Sequence, residues 1–313
     1  MEKSQPHYER LIAAARKAGP VTVAVAHPCD RNALEAALDA ARLGLIEPIL
    51  VGPQARIRQA ADEAGLDISA LTLIDTPHSH ASAARAVELV REGKAAALMK
   101  GSLHTDELMG AVVVADTGLR TARRLSHCFV MDVPGRPEPL IITDAAINIT
   151  PSLSDKVDIV QNAIDLAHVL RFDPVRVAIL AAVETVSPKM PSTIDAAALC
   201  KMADRGQITG ALLDGPLAMD NAIDPEAAAI KHLVSPVAGQ ANILVAPDLE
   251  AGNMLAKSLS FMAGASAAGI VLGARVPVIL TSRADTVQAR LASCAVAVLL
   301  VQSKLAGARI LGS

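Results

Sequence analysis

Three observations predict an α/β fold built from two doubly wound domains. Short apolar runs rich in branched residues alternate with helical patterns at a spacing of about 20 residues, the grammar of strands joined by helical crossovers. Hydrophobic residues make up 52% of the chain and charged residues 19%, a balance that suits strands covered on both faces. The 313 residues exceed what most single cores hold, so two domains, or one large α/β unit, are expected.

In chain order, residues 8–18 have helical spacing and 21–26 read as a buried strand ending in the turn His27-Pro28-Cys29-Asp30. Asp30 is placed to cap a helix over 32–43, which Gly44 ends. Strands follow over 48–52, 71–75 and 95–99, with helices over 56–64 and 81–92 between them and a further helix over 106–114. Strands at 128–133 and 140–142 precede a long helix over 155–170, closed by the break Arg171-Phe172-Asp173-Pro174. A second series then runs through a strand at 175–183, a helix at 193–205, strands at 210–213 and 242–246 and a helix at 255–263. A strand at 276–281 and a helix at 287–305 complete the chain.

The formal net charge is only −3, and no basic run is interleaved with aromatics, which argues against a nucleic-acid groove. With no Trp and one Tyr, a purine would have to rest on aliphatic surface. Cys29, Cys128, Cys200 and Cys294 are widely spaced, form no C-x-x-C pair and sit mostly among apolar neighbours, so reduced, buried thiols are expected. Residues 1–10 are polar and lack an apolar leader core, and the apolar run 294–301 is too short to span a bilayer, so a soluble cytoplasmic protein is expected.

Polar residues gather where strands end, which in open α/β sheets is where ligands bind. Lys100-Gly101-Ser102-Leu103-His104-Thr105 follows a buried strand and opens a helix. Lys100, the Ser102 hydroxyl and N–H groups near Gly101 could hold an anion, though the spacing is not that of a Walker loop. Asp106 and Glu107 in the first helical turn would push a phosphate off the helix axis. The plainer reading of the segment is a capped helix with an exposed Lys. Arg120 and Arg124, if helical, would share a face and could clamp phosphate oxygens, or they could be a solvated face paired with carboxylates. Asn148, Asp214 and the pair Gly252-Asn253 also follow strands; Asn253 is suited to cap the helix after it, and Gly252 to permit a close approach.

In order along the chain these segments resemble the phosphate acetyltransferase and phosphate butyryltransferase family. The resemblance rests on Met99-Lys100-Gly101 with His104-Thr105, Gly118-Leu119-Arg120 with Arg123-Arg124, Thr143-Asp144-Ala145-Ala146 with Asn148, and Asp214-Gly215-Pro216-Leu217. To these are added Ser235-Pro236-Val237-Ala238-Gly239, Leu249-Glu250-Ala251-Gly252-Asn253 and Pro277-Val278-Ile279-Leu280-Thr281-Ser282-Arg283. The versions at 118–127 and 184–191 are closer to the butyryl branch. The resemblance implies two α/β domains flanking a cleft, similar to the isocitrate and isopropylmalate dehydrogenase fold. On that reading the first domain is 1–147 with 275–313, the second is 148–274, and the chain is a homodimer.

The implied reaction is reversible transfer of a short acyl group, acetyl or butyryl, between coenzyme A and inorganic phosphate, with no metal or nucleotide cofactor. Ser282, Arg283 and Asn253 are then the catalytic candidates: Arg283 would clamp phosphate and favour the thiolate, and Asn253 or Asn148 would donate to the carbonyl oxygen. Lys100, Gly101, Ser102, His104, Thr105, Arg120, Arg124, Asn148, Asp214 and Gly252 are the substrate-binding candidates. Acetyl-type members place an acidic residue, proposed to take the thiol proton, shortly after the Ser-Arg pair; here the chain reads Thr286-Val287-Gln288-Ala289-Arg290, and Asp285 is the nearest carboxylate. A decarboxylating dehydrogenase would need clustered metal-binding aspartates on matching helices, which the sequence does not show. A catalytically silent acyl-CoA-binding or scaffolding homologue would have no chemical reason to retain Ser282, Arg283, Asn253 and the Lys100 loop together.

Overall fold

The computed structural model describes residues 6–281 and 285–306. Two compact units emerge: Met1–Arg123 with Ala268–Ala308, and Arg124–Ala267.

The first unit opens with α1 (Pro6–Ala18) and β1 (Val21–Ala26), then α2 (Arg31–Arg42), β2 (Ile46–Gly52), α3 (Gln54–Ala64), β3 (Thr72–Asp75), α4 (Ser79–Arg91), β4 (Ala97–Lys100) and α5 (Thr105–Val113). β1 is apolar but for Thr22, and its Val23, Ala24, Val25 and Ala26 are fully buried. Asp30 caps α2 as its position predicts, its Oδ1 accepting the Ala33 N–H at 2.8 Å, and Gly44 follows that helix with a φ of +69°.

The second unit contains β5 (Ser126–Asp132), β6 (Leu140–Thr143), α6 (Leu153–Val169), β7 (Arg176–Leu180), α7 (Pro191–Asp204), β8 (Leu212–Leu217), α8 (Met219–Ile223), α9 (Pro225–Ile230), β9 (Ile243–Val245) and α10 (Leu249–Met262). The chain then passes through β10 (Ser266–Leu272) and closes the first unit with β11 (Val278–Ile279) and α11 (Val287–Leu305).

Strand order in the first unit is β3-β2-β1-β4-β11-β10, and in the second β5-β6-β9-β7-β8. Within the units these pairings are parallel except β10 with β11 and β5 with β6, so the strands of each unit are mixed where alternation alone predicts parallel strands throughout. The units divide at Arg123–Arg124, whereas the sequence reading divides the chain at 147–148. The hydrogen bonding explains the difference: β6 pairs with β9 through Ile141–Ile243 and Ile142–Leu244, which carries the β5–β6 hairpin into the second unit. The core there is formed by Met131, Leu140, Ile142, Leu180, Leu217 and Leu244.

Four elements depart from the expected layout: β10, α8 and α9 have no counterpart in the sequence reading, and α10 begins at Leu249 rather than 255.

Candidate active site

In the first unit, β4 lies between β1 and β11 with Lys100 opposite Ala26 and Met99 opposite Ile279, so the carboxyl ends of three strands lie side by side. Lys100 ends β4 and is only 8% exposed, which excludes the reading of a surface Lys. Its Nζ donates to its own neighbour, Gly101 O, at 3.3 Å. Gly101 presses against the preceding turn: a Cβ there would come within 2.7 Å of His27 O, so no other residue fits without moving backbone.

The Ser102 hydroxyl is engaged in that same turn. It donates to His27 O at 2.7 Å and accepts the Cys29 N–H at 3.1 Å, pinning the β1–α2 turn to the β4–α5 loop. The expectation that this hydroxyl binds phosphate is therefore replaced by a structural role. His104 stands exposed at the N-cap position of α5 without a capping bond from its side chain, and Thr105 is the first helical residue.

The two arginines do not form a helical clamp. Residues 118–125 contain no helix; Arg120 is exposed in the first unit, bridged by its backbone to Ala274, and Arg124 begins the second. Arg124 donates from Nε to Asn148 Oδ1 at 2.6 Å and pairs through Nη1 with Asp155 at 2.9 Å. Two of its nitrogens, Nε and Nη1, thus engage groups of its own unit, one of them a carboxylate.

Asp144 organises the polar centre of the second unit. Its buried carboxylate accepts from the backbone N–H groups of His127, Ala146 and Ile147 and from Asn148 Nδ2 at 2.6 Å. Asn148 Nδ2 donates its other proton to Leu125 O at 2.9 Å, so both amide protons are used and Asn148 is withdrawn as an oxyanion donor. His127 packs edge-on against Phe129 and is fully buried; desolvation drives its pKa down to about 4, with the Asp144 charge opposing.

Gly252 and Asn253 lie within the first two turns of α10, not before it; Asp248 is the cap, accepting the Ala251 N–H at 2.8 Å. The capping role expected of Asn253 is therefore corrected. A Cβ on Gly252 would meet the Asp144 carbonyl and come within 3.2 Å of the Ala246 Cβ, so the glycine lets α10 sit directly on the end of β6. Half-buried Asn253 donates one Nδ2 proton to Ala145 O at 3.0 Å. Asp214 in β8 folds back to accept its neighbour Gly215 N–H at 2.8 Å. Ser282 and Arg283 lie outside the described residues.

A residue that sequence reasoning passed over is Arg290. It lies in α11, where the only other charge is Lys304, and it is 6% exposed, with Nη1 donating to Asn32 O at 3.2 Å. That isolated charge in an apolar helix was the available signal. Among the described residues, no group of three or more His, Cys, Asp or Glu side chains is arranged to hold a metal ion. The four thiols are free, and burial pushes Cys29 up to about 11 and Cys128, Cys200 and Cys294 up to about 12.

Comparison with known proteins places this framework. Residues 78–298 match the family described as Phosphate acetyl/butaryl transferase. A phosphate acetyltransferase of Rhizobium meliloti is 65% identical over 292 residues, 93% of this chain and 92% of the relative. A phosphate butyryltransferase of Clostridium acetobutylicum is 41% identical over 282 residues, 90% of this chain and 94% of the relative. The crystal structure of a branched-chain phosphotransacylase from Enterococcus faecalis V583 superimposes with a TM-score of 0.79 at 30% identity, covering 90% of this chain and 99% of that one. A 4-hydroxythreonine-4-phosphate dehydrogenase from Klebsiella pneumoniae, 13% identical with a TM-score of 0.56 over 90% of this chain and 99% of its own, shares the dehydrogenase-like fold. With a family match across residues 78–298 and 65% identity along 93% of its length, the chain belongs to the phosphate acetyl/butaryl transferase family of acyltransferases.

Proposed function

We propose that this protein transfers an acyl group reversibly between coenzyme A and inorganic phosphate, with acetyl as the preferred group. The observation that carries the reading is the 65% identity with a phosphate acetyltransferase; identity with a phosphate butyryltransferase is 41%, so acetyl is favoured over the butyryl branch suggested by residues 118–127 and 184–191. In one direction the coenzyme A thiolate attacks the carbonyl carbon of an acyl phosphate. A C–S bond forms, the C–O bond to phosphate breaks, and inorganic phosphate departs with the bonding pair. The exchange involves no change of oxidation state, so the proposed reaction proceeds without a redox or nucleotide cofactor.

Three demands follow: a cation for the departing phosphate, a donor for the developing oxyanion and a dry setting that strengthens both. Lys100, buried at a strand end, suits the first. Asn253 suits the second, because its bond to Ala145 O uses one of two Nδ2 protons. Ser282 and Arg283 are proposed to hold phosphate and to favour the thiolate on the strength of their motif. A homodimer is proposed as well, supported by the apolar face that α10 exposes through Met254, Phe261 and Met262. Among the described residues no helix is long and apolar enough to cross a membrane, which supports a cytoplasmic location.

The test is phosphate-dependent release of free thiol from acetyl-, propionyl- and butyryl-CoA. The highest kcat/KM is expected with acetyl-CoA. Absence of release with all three would overturn the reading in favour of a silent homologue.

A further inference from the structure

His27 is the first residue beyond β1, the strand that lies between β2 and β4, and it is 5% exposed. Both flanks grip its backbone. Its N–H donates to Val51 O at 2.7 Å, and its carbonyl accepts the Ser102 N–H at 3.0 Å and the Ser102 hydroxyl at 2.7 Å.

The imidazole turns towards α4, where its Nδ1 lies 3.0 Å from Ser82 Oγ, and Ser82 Oγ lies 2.9 Å from Thr76 Oγ1. Ser82 has a single hydroxyl proton, and it goes to His78 O at 2.9 Å, an acceptor with no proton to offer in return. The two lone pairs of Ser82 Oγ must then receive the Thr76 O–H and the His27 Nδ1–H. That fixes the tautomer: neutral His27 carries its proton on Nδ1 and a bare lone pair on Nε2. Nε2 has no hydrogen-bond partner among the described residues.

The charges around the ring come from several elements. Burial lowers its pKa from the ordinary 6.5, Arg56 of α3 and His78 before α4 act in the same direction, and Glu107 of α5 and Asp30 of the turn before α2 oppose them. Glu107 Oε2 is buried without a hydrogen-bond partner, and its Oε1 is 4.0 Å from His80 Nδ1. The ring is therefore neutral at rest, with a carboxylate near enough to steady a proton that arrives.

We infer that His27 Nε2 takes the proton of the coenzyme A thiol, as the general base that neither the sequence motifs nor the family likeness assigns. The inference rests on the proposed acyl transfer. Ala26 is opposite Lys100 in the pairing of β1 with β4, so a substrate held at the end of β4 is one strand spacing, about 5 Å, from the end of β1. As the sulfur attacks the carbonyl carbon, the S–H proton passes to Nε2. The C–S bond forms, the C–O bond to phosphate breaks, and phosphate leaves with the bonding pair. The imidazolium, its Nδ1–H still on Ser82, then gives a proton to water. In the reverse direction it protonates the departing thiolate.

The experiment follows coenzyme A consumption with acetyl phosphate across the pH range for the full chain and its His27→Gln variant. For wild type, kcat/KM for coenzyme A is expected to be full above pH 6.5 and to fall below it, as the base is protonated. In His27→Gln only pre-formed thiolate reacts, so the rate should climb about tenfold per pH unit towards the ordinary thiol pKa of about 8.5. The loss at pH 7 should be about a hundredfold or more, and it should shrink as the thiol ionises unaided. The acetyl phosphate KM is expected to stay within about twofold, the scatter of an uninvolved site. An unchanged rate, or a loss of the same size at every pH, would overturn the inference and make His27 a structural residue. If His27→Gln fails to fold, nitrogen NMR of the wild-type imidazole decides: the proton should sit on Nδ1 and the Nε2 signal should move when coenzyme A is added, whereas a proton on Nε2, or no response, overturns it. Should the wild type transfer no acyl group at all, the proposed reaction itself fails, and the same spectrum still judges whether His27 meets coenzyme A.

Discussion

Replacing Gly252 with Ala should destabilise the second unit, although the position lies inside a helix where Ala is intrinsically the better residue. Helix propensity alone would reward the change by about 1 kcal/mol. The new Cβ, however, would meet the Asp144 carbonyl oxygen, and would also come within 3.2 Å of Asp144 C and the Ala246 Cβ. Two of those atoms are backbone at the end of β6, so relief requires α10 to lift away from the strand. Overpacking of this kind costs about 1 to 3 kcal/mol, and more where backbone must move. Because backbone must move, the cost lies at the upper end, about 3 kcal/mol, and the net expectation is a loss of about 2 kcal/mol once the propensity gain is subtracted. For a domain of this size that corresponds to a fall of about 4 to 8 °C in Tm. Gly110→Ala supplies the matched control: Gly110 is exposed within α5, and a Cβ there meets nothing within 4 Å. That substitution should stabilise by about 0.5 to 1 kcal/mol, so the same chemical change is expected to have opposite signs at the two sites. Thermal and denaturant unfolding of both variants test the point. A Gly252→Ala protein as stable as wild type, or more stable, would refute the argument that α10 rests directly on the Asp144 backbone.

Two further outcomes follow from the buried groups. His127, whose pKa is lowered from 6.5 to about 4 by desolvation, is held neutral by the fold. A depressed folded value means that its stabilising contribution is complete above pH 6.5 and is lost as the pH falls towards about 4. Denaturant midpoints measured from pH 7 to 4.5 should therefore fall more steeply for wild type than for His127→Gln, and parallel curves would contradict the assignment. The thiols of Cys29, Cys128, Cys200 and Cys294 are all raised by burial, to about 11 or 12. Iodoacetamide at pH 7.5 should leave acyl transfer intact and alkylate these residues at least about a hundredfold more slowly than free cysteine; rapid loss of activity with one thiol modified would argue for a covalent acyl-enzyme instead.

The sequence made the alternating scaffold legible where local signals and tertiary demands agree. β1 is a run of branched and small residues, apolar but for Thr22, that must be buried, and Asp30 is a capping residue three positions before the N–H it satisfies. It misplaced the start of α10 because Gly252-Asn253 reads as a helix boundary, when the glycine is present for the close approach to β6 and the cap is Asp248. β10 is hard to read for a related reason: its Ser266-Ala267-Ala268-Gly269 beginning has weak strand propensity, and only Ile270 and Val271 at its far end pair with β11.

At the candidate site the same limit acts on individual atoms. Sequence shows that polar groups collect after strands, but not which of their hydrogen-bonding positions the fold consumes. Ser102 closes on His27 O and the Cys29 N–H, Asn148 on Leu125 O and Asp144, Arg124 on Asn148 and Asp155, and Asp214 on the Gly215 N–H. These four hold loops in shape. Lys100 and Arg290, both buried, line one pocket, a convergence set by α11 packing beside α2 and therefore invisible in either segment alone. Short polar motifs after strands mostly shape the loops, whereas a buried charge in an apolar helix far along the chain reaches the end of β4 only through tertiary packing, which no local pattern encodes.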